Sequence, residues 1–376
     1  MVSTTRRMRR VAAIALVAAL LAGGVAAARM LLPRLTNRQR VRAPLAAVLV
    51  PRPGRVEVVM VDLAAMTVAR RVPLRSLATD VAADAVSGRF VTAQSGGVGP
   101  DADDALGILD PGSGEARYVR LAQPNPGNVV CIGGRAYLLH GLCAGGRMFV
   151  SVVDVAAGRL ERSGTVAETS GLWDVAGGDL WTLAVSTEGG ANMLVRIAPS
   201  DLTTVAAYPA DGLAGSMLAG GKSLYLLYGA RTGSALEATS GSIAEMDSAT
   251  GAAVRGVVVP GLSHGVSRGA LAGSRVAVID WDGEEPEGDT VALLDRDTLR
   301  VAAMVRIDGV PCALAEWDHR VLVVDRTRGR LVVIDATSGR VTGSVDLGAR
   351  DLVFSDVAVL RGDEAGVQTA EAASGP

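Results

Sequence analysis

Histidine, cysteine, lysine and aromatic residues are all scarce in this chain. Its three histidines, His140, His264 and His319, are spread over distant parts of the 376 residues. That spacing argues against a histidine-rich metal site and against a serine–histidine–acid triad, whose members need hydrogen-bond contact. Cys131, Cys143 and Cys312 are an odd number and too few for a disulfide framework. The Gly133-Gly134 turn carries Cys143 away from Cys131, so buried free thiols are expected. Lysine occurs once, at Lys222, and arginine supplies the other 36 basic residues. Nine of those arginines lie in residues 1–42, which hold no acid; beyond them 28 basic groups face 39 acidic ones, a net charge near −11. An acidic body disfavours nucleic-acid binding, which needs clustered positive charge. With aromatics at 3%, the interior has to be filled by Ala, Val, Leu and Gly.

What the chain has in abundance is repetition. An apolar run, a turn and a second apolar run recur seven times, with the turn opening at Asp62, Asp110, Asp154, Ala198, Asp247, Asp295 and Asp335, one every 40–49 residues. Upstream of each lies another apolar run, such as RFVTAQ, RAYLLHGL or RVLVVDR. Runs of this length rich in Val and Leu, bounded by Gly and Asp, read as strands. Many are apolar on both faces, as expected of small sheets packed between two others. Units of about 40–50 residues built from strands indicate a β-propeller. The fold expected is therefore all-β, a seven-bladed propeller over residues 43–361, with a disordered tail at 362–376.

The repeated Asp has a local task, because its carboxylate accepts backbone N–H groups two residues on and starts a turn. Glycine follows at the fourth position in four copies (Gly114, Gly158, Gly251, Gly339). Met66, Leu202 and Leu299 stand there in the others, which predicts a different turn in those three blades. Blade 1 lacks a first strand ahead of LAAVLV. One stands instead at the far end, in DLVFSDVAVL (351–360), and it is expected to close the ring as the innermost strand of blade 1.

The segment VLVVDRTRGRLVVIDATSGRVTGSVDL, in blade 7, resembles the YVTN-type propeller repeat, and the resemblance extends over about residues 45–360. No Gly-His or Trp-Asp pair recurs at fixed positions, unlike WD40 propellers, and the tryptophan-docking motifs of quinone-cofactor propellers are missing. The resemblance implies architecture only: propellers of this kind serve as lactonases, lyases, binding modules and scaffolds.

Ahead of the propeller, Arg6, Arg7, Arg9 and Arg10 precede an uncharged stretch from Val11 to Ala28. Eighteen helical residues span about 27 Å, close to a bilayer core of about 30 Å. A signal-anchor helix is expected, single-pass, with the leading arginines cytoplasmic and the propeller extracytoplasmic. Cleavage at Ala26–Ala28 would make the protein secreted. Arg29, Arg34, Arg38, Arg40 and Arg42 disfavour cleavage and suit anionic headgroups.

Candidate chemistry gathers on the face carrying the connections between blades and between second and third strands, called the top face below. Asp101, Asp103 and Asp104 form one acidic cluster; Asp280, Asp282 and Glu284, continuing to Asp289, form another. Either has oxygen ligands for a divalent cation such as calcium, although the spacing departs from the EF-hand and solvated loops are the plainer reading. The channel mouth is expected near Asp80, Asn125, Asn128, Glu168, Asp211, His264, Asp308 and Asp351, with Trp281 at the lip of the acidic loop as a stacking residue. No organic cofactor is expected. The function these features support is a monomeric, membrane-anchored, non-enzymatic module that binds a protein partner or small ligand on its top face. The alternatives are a lactonase-like hydrolase or lyase with a metal at the channel mouth, and a scaffold of a cell-envelope complex.

Overall fold

The computed structural model describes residues 43–96, 103–140, 148–166, 173–184, 192–210, 214–228, 241–260, 262, 266–280, 288–352 and 355–362. The expected signal-anchor segment and the tail beyond Gly362 lie outside them. Among the described residues no helix is long and apolar enough to cross a membrane.

Seven four-stranded antiparallel sheets follow one another along the chain. Six are built from consecutive strands. The seventh, blade 1, takes Leu45–Arg52, Arg55–Asp62 and Thr67–Pro73 from the start of the propeller and Val357–Leu360 from its end. Leu45 faces Leu360 and Val48 faces Val357 in an antiparallel ladder. The expected closure by the C-terminal strand is what the structure shows.

Burial explains why the sheets stack. In the second and third strands nearly every residue is inside, as in Arg89–Gln94 and Ala105–Leu109. Side chains alternate between the two faces of a strand, so Ala46, Val48 and Val50 enter a core shared with Leu322, Val324 and Leu331 of blade 7. Ala47 and Leu49 enter one shared with Phe90 and Leu109 of blade 2. Seven such cores result, one between each pair of neighbouring blades. Burial of a Val or Leu side chain contributes about 1.5–3 kcal/mol.

The repeated Asp acts as its residue type suggests. Ala64 and Ala65 N–H donate to Asp62 Oδ1, both at 2.9 Å, Gly112 and Ser113 to Asp110, and Ala249 and Thr250 to Asp247. In one respect the expectation fails. Met66, Leu202 and Leu299 have φ of 53°, 63° and 54°, the same left-handed conformation as Gly114, Gly158, Gly251 and Gly339 at 74°, 63°, 66° and 67°. The turn is therefore one type in all seven blades.

Packing with the preceding blade shows why three copies tolerate a side chain there. Leu299 is 1% exposed, and Met66 and Leu202 pack on the cores beside blades 7 and 3. Met66 and Leu202 approach glycines in the outer strands of those blades, Gly343 and Gly164. Burial offsets the roughly 1–2 kcal/mol cost of left-handed backbone. Where the turn has glycine, the preceding blade can supply a large side chain. Arg70 reaches the Ser113 carbonyl at 2.6 Å, Arg117 the Val155 carbonyl at 2.6 Å, and Tyr208 the Ala249 carbonyl at 3.3 Å.

Two outcomes follow. Gly158→Ala is expected to lose about 1–2 kcal/mol in urea unfolding, because φ is +63° and the Arg117 guanidinium would have to swing away from the turn carbonyls to admit a Cβ; a loss below about 0.5 kcal/mol would contradict this packing. A chain ending at Gly362 should melt like the full chain by circular dichroism, whereas one ending at Ser355 should show no cooperative transition.

Candidate functional site

The first strand of every blade is a sheet edge lining the central channel, and its outward N–H and C=O groups have no ladder partner. Three aspartates address this from one blade to the next. Asp356 Oδ2 of blade 1 accepts the Val81 N–H of blade 2 at 3.1 Å. Asp80 Oδ2 of blade 2 accepts the Val129 N–H of blade 3 at 2.7 Å. Asp174 Oδ2 of blade 4 accepts the Ala219 N–H of blade 5 at 2.8 Å. Asp80 and Asp174 also use Oδ1 to hold the N–H of their own following valine, at 2.9 and 2.7 Å. The Thr79 hydroxyl donates to the Gly127 carbonyl at 2.8 Å, serving an acceptor of the same edge.

The carboxylates sit in unequal surroundings. Burial pushes Asp174 up to about 6 against the two amide hydrogen bonds that favour its charge. Asp80 is driven well above the usual carboxylate range, first by burial and then by Asp356, to which it hydrogen-bonds. Arg268 of blade 6 approaches Asp356 Oδ1 at 3.7 Å. Arg268, Asp80, Asn128 and Ala313 stand opposite Ile279, Ala93, Leu139 and Val324, equivalent places in their second strands. They therefore lie at one height around the channel.

Of the residues expected at the channel mouth, Asp80 and Asn128 are thus at one level of the channel wall. Asp351 stands apart in the connection from blade 7 to blade 1, exposed, with φ of 55°. Asn125 and Asp308 have φ of 55° and 51° in the matching connections. Asn and Asp tolerate left-handed backbone better than most residues, which gives these three a role in the turn. Glu168, Asp211, His264 and Trp281 lie outside the described residues, as do Asp101, Asp282 and Glu284.

Asp103 and Asp104 are already engaged. Asp103 accepts Arg75 Nε at 3.0 Å and the Ser76 hydroxyl at 2.5 Å, and Asp104 accepts Arg120 Nε at 2.8 Å. Burial works against the Asp103 charge, but these donors outweigh it and hold its pKa low. Asp280 ends the strand Arg275–Asp280. Among the described residues no three His, Cys, Asp or Glu side chains converge as a metal cluster.

His140 and Ser151 form a pair that sequence reading missed. His140 Nε2 lies 2.9 Å from Ser151 Oγ and Nδ1 lies 3.0 Å from the Pro124 carbonyl, so Nδ1 carries the hydrogen and the serine donates to Nε2. Both residues are inside, at 1% and 0% exposure, and burial lowers the His140 pKa. A neutral, solvent-excluded imidazole of this kind joins two strands of blade 3. Cys131 and Cys312 are free thiols, Cys312 buried and Cys131 partly so, while Cys143 lies outside the described residues; burial raises Cys131 well above the usual thiol range and pushes Cys312 up to about 12, so neither is a thiolate at neutral pH.

No protein-family model and no curated protein sequence matches the chain. Solved structures do. A candidate 6-phosphogluconolactonase from Bacteroides uniformis is similar with a TM-score of 0.58 at 13% identity, over 84% of this chain and 99% of that one. Apo AztD from Citrobacter koseri gives 0.55 at 14%, over 86% and 99%. The dihydro-heme d1 dehydrogenase NirN, in complex with DHE, gives 0.52 at 16%, over 79% and 72%. Likeness at such identity shows the seven-bladed propeller fold and carries no chemistry with it.

Asp174 offers a direct check on the channel electrostatics. Its folded pKa lies above the unfolded value near 3.9, so its contribution is most favourable at low pH and declines as pH rises from about 4 through 6, then levels off. Asp174→Asn should therefore gain stability relative to the native protein across that window, by roughly 2–3 kcal/mol at most. Urea unfolding at pH 4 and 7.5 measures it; a difference independent of pH would contradict the assignment.

Proposed function

We propose that the protein is a non-enzymatic binding module, a propeller of YVTN-type repeats held at the cell membrane by residues 11–28 with its top face directed away from the cytoplasm toward a protein partner or small ligand. The observation that carries this reading is the inequality of the two faces. On the lower face, strands are joined by tight turns such as Gly133-Gly134, Gly177-Gly178 and the seven Asp-type turns. On the top face, the second and third strands of blades 2 to 6 are joined by residues 95–104, 141–147, 185–191, 229–241 and 281–289. Blades 1 and 7 use only 53–54 and 326–329 there. Long connections on a rigid scaffold are where binding residues concentrate.

The channel aspartates fit the same reading, since Asp80, Asp174 and Asp356 spend their lone pairs on backbone amides between blades. Bound calcium at the acidic connections and a ligand stacked on Trp281 belong to the proposal. So does a monomeric propeller with no nucleic-acid partner. One observation favours the enzymatic alternative: Asp80 and Asp356 form a carboxyl pair on the channel wall, a combination that general acid–base catalysis uses.

The test replaces residues 97–102 and 281–287 with short Gly-Ser linkers in the full-length protein. The melting temperature should stay within about 2 °C of the native protein's, because the seven cores lie among the strands. Chemical crosslinking in native membranes, read by mass spectrometry, should lose whatever partner the native protein captures saturably. Capture that survives both replacements would contradict the top-face reading. Isothermal titration with calcium alone separates the cation from the partner.

A further inference from the structure

Closure of the ring rests on four residues, Val357–Leu360. Immediately ahead of them Asp356 turns toward blade 2, and the Val81 N–H meets two acceptors at once, Asp80 Oδ1 at 2.9 Å and Asp356 Oδ2 at 3.1 Å. One amide hydrogen shared between two acceptors bonds each more weakly than a donor of its own would, and it does not offset the repulsion between two adjacent carboxylates. Carboxyl oxygens that converge on a single donor and on each other are held together when one proton is shared between them, and driven apart when both ionise.

The other charges facing the pair do not replace that proton. Arg268 from blade 6 opposes the shift of Asp80 and lies against Asp356, 41% exposed, at 3.7 Å. From blade 3 comes the Cys131 thiol, neutral at neutral pH, with Asp84 further along the blade 2 strand adding negative charge beside it. From blade 7 comes Cys312, also neutral, flanked by Arg326 and Asp325. Asp325 is committed to Arg330 at 2.8 Å. Val129 N–H, on the far oxygen of Asp80, favours the ionised form more than Arg268 does, and burial together with Asp356 outweighs both.

We propose that Asp80 and Asp356 form a proton-dependent latch on the ring-closing seam, tight while one proton is shared and loosened when both carboxyls ionise. The raised folded-state affinity of Asp80 for its proton sets the direction. A carboxyl whose folded pKa exceeds its unfolded value contributes fully at low pH, and that contribution is lost as pH climbs through the raised value. Acid therefore tightens the join between blade 1 and blade 2, and alkali frees the closing strand before the other blades respond.

Hydrogen exchange of the full-length protein in detergent, at pH 5.5 and pH 8.5 and corrected for intrinsic rate, tests the latch. Protection of residues 355–360 should fall roughly tenfold or more at the higher pH, relative to the Arg320–Asp335 hairpin of blade 7. Asp80→Asn should abolish that fall, and Asp356→Asn should do the same. Equal protection ratios at both pH values, or an undiminished fall in Asp80→Asn, would overturn the proposal. Should neither variant fold, infrared spectroscopy of the native protein decides: a protonated carboxylic acid band persisting at neutral pH and vanishing in parallel with seam protection supports the latch, and its absence at neutral pH overturns it.

Discussion

Everything in this molecule depends on each blade being buried on both faces. A four-stranded sheet with Val and Leu on both sides has no stable existence alone; it needs a neighbour on either hand, and a row of such sheets needs to become a ring. The core joining Ala46, Val48 and Val50 to Leu322, Val324 and Leu331 is the point where the first blade meets the last. Without closure, blade 1 would lose its inner strand, and strands from opposite ends of the propeller would part at that core. Pairing Val357–Leu360 with Leu45–Val48 turns that requirement into covalent economy, since the two ends of the propeller share one sheet.

Polar groups are fitted around this apolar arrangement. At the rim, the left-handed turn position of one blade and the outer strand of the preceding blade are matched in size at several junctions: glycine against Arg70, Arg117 or Tyr208, and Met66 or Leu202 against glycine. At the axis, where strand edges would otherwise present bare amides, carboxylates of one blade reach the N–H of the next. Both devices act between blades, so they bind the ring laterally as the cores do. The axial one carries a penalty, because charge is partly withdrawn from water, and the raised affinities of Asp80 and Asp174 for protons express it.

The fold was legible because its determinants are local and repeated. An Asp that accepts turn N–H groups between two apolar runs looks alike in six of seven copies, and the displaced inner strand shows as a segment missing at one end and present at the other. Met66, Leu202 and Leu299 misled because glycine is only one way to occupy a left-handed position; burial against the preceding blade is another, and that neighbour is more than 30 residues away in sequence. The channel was read in part. Asp80 and Asn128 were placed on its wall, whereas Asp174, Asp356 and Arg268 were passed over. The signal is in the sequence: an Asp-Val pair stands at or near the start of the inner strands at Asp80, Asp174 and Asp356. Its meaning, an acceptor for the next blade's amide, needs knowledge of which residues face one another across blades. Asp351 lies exposed in the connection from blade 7 to blade 1, with left-handed backbone.

The proposed function assigns binding to the face that carries the long connections, and the contrast between tight lower turns and long upper connections makes that proposal a directional one. The most direct measurement places a photoreactive amino acid in the full-length protein at Ala235, within the connection 229–241 of blade 5, and, separately, at Ser338 on the lower face, followed by irradiation in native membranes. The account predicts a discrete, saturable crosslinked species from position 235 and none from position 338. The same species from both positions, or one from position 338 alone, would contradict it.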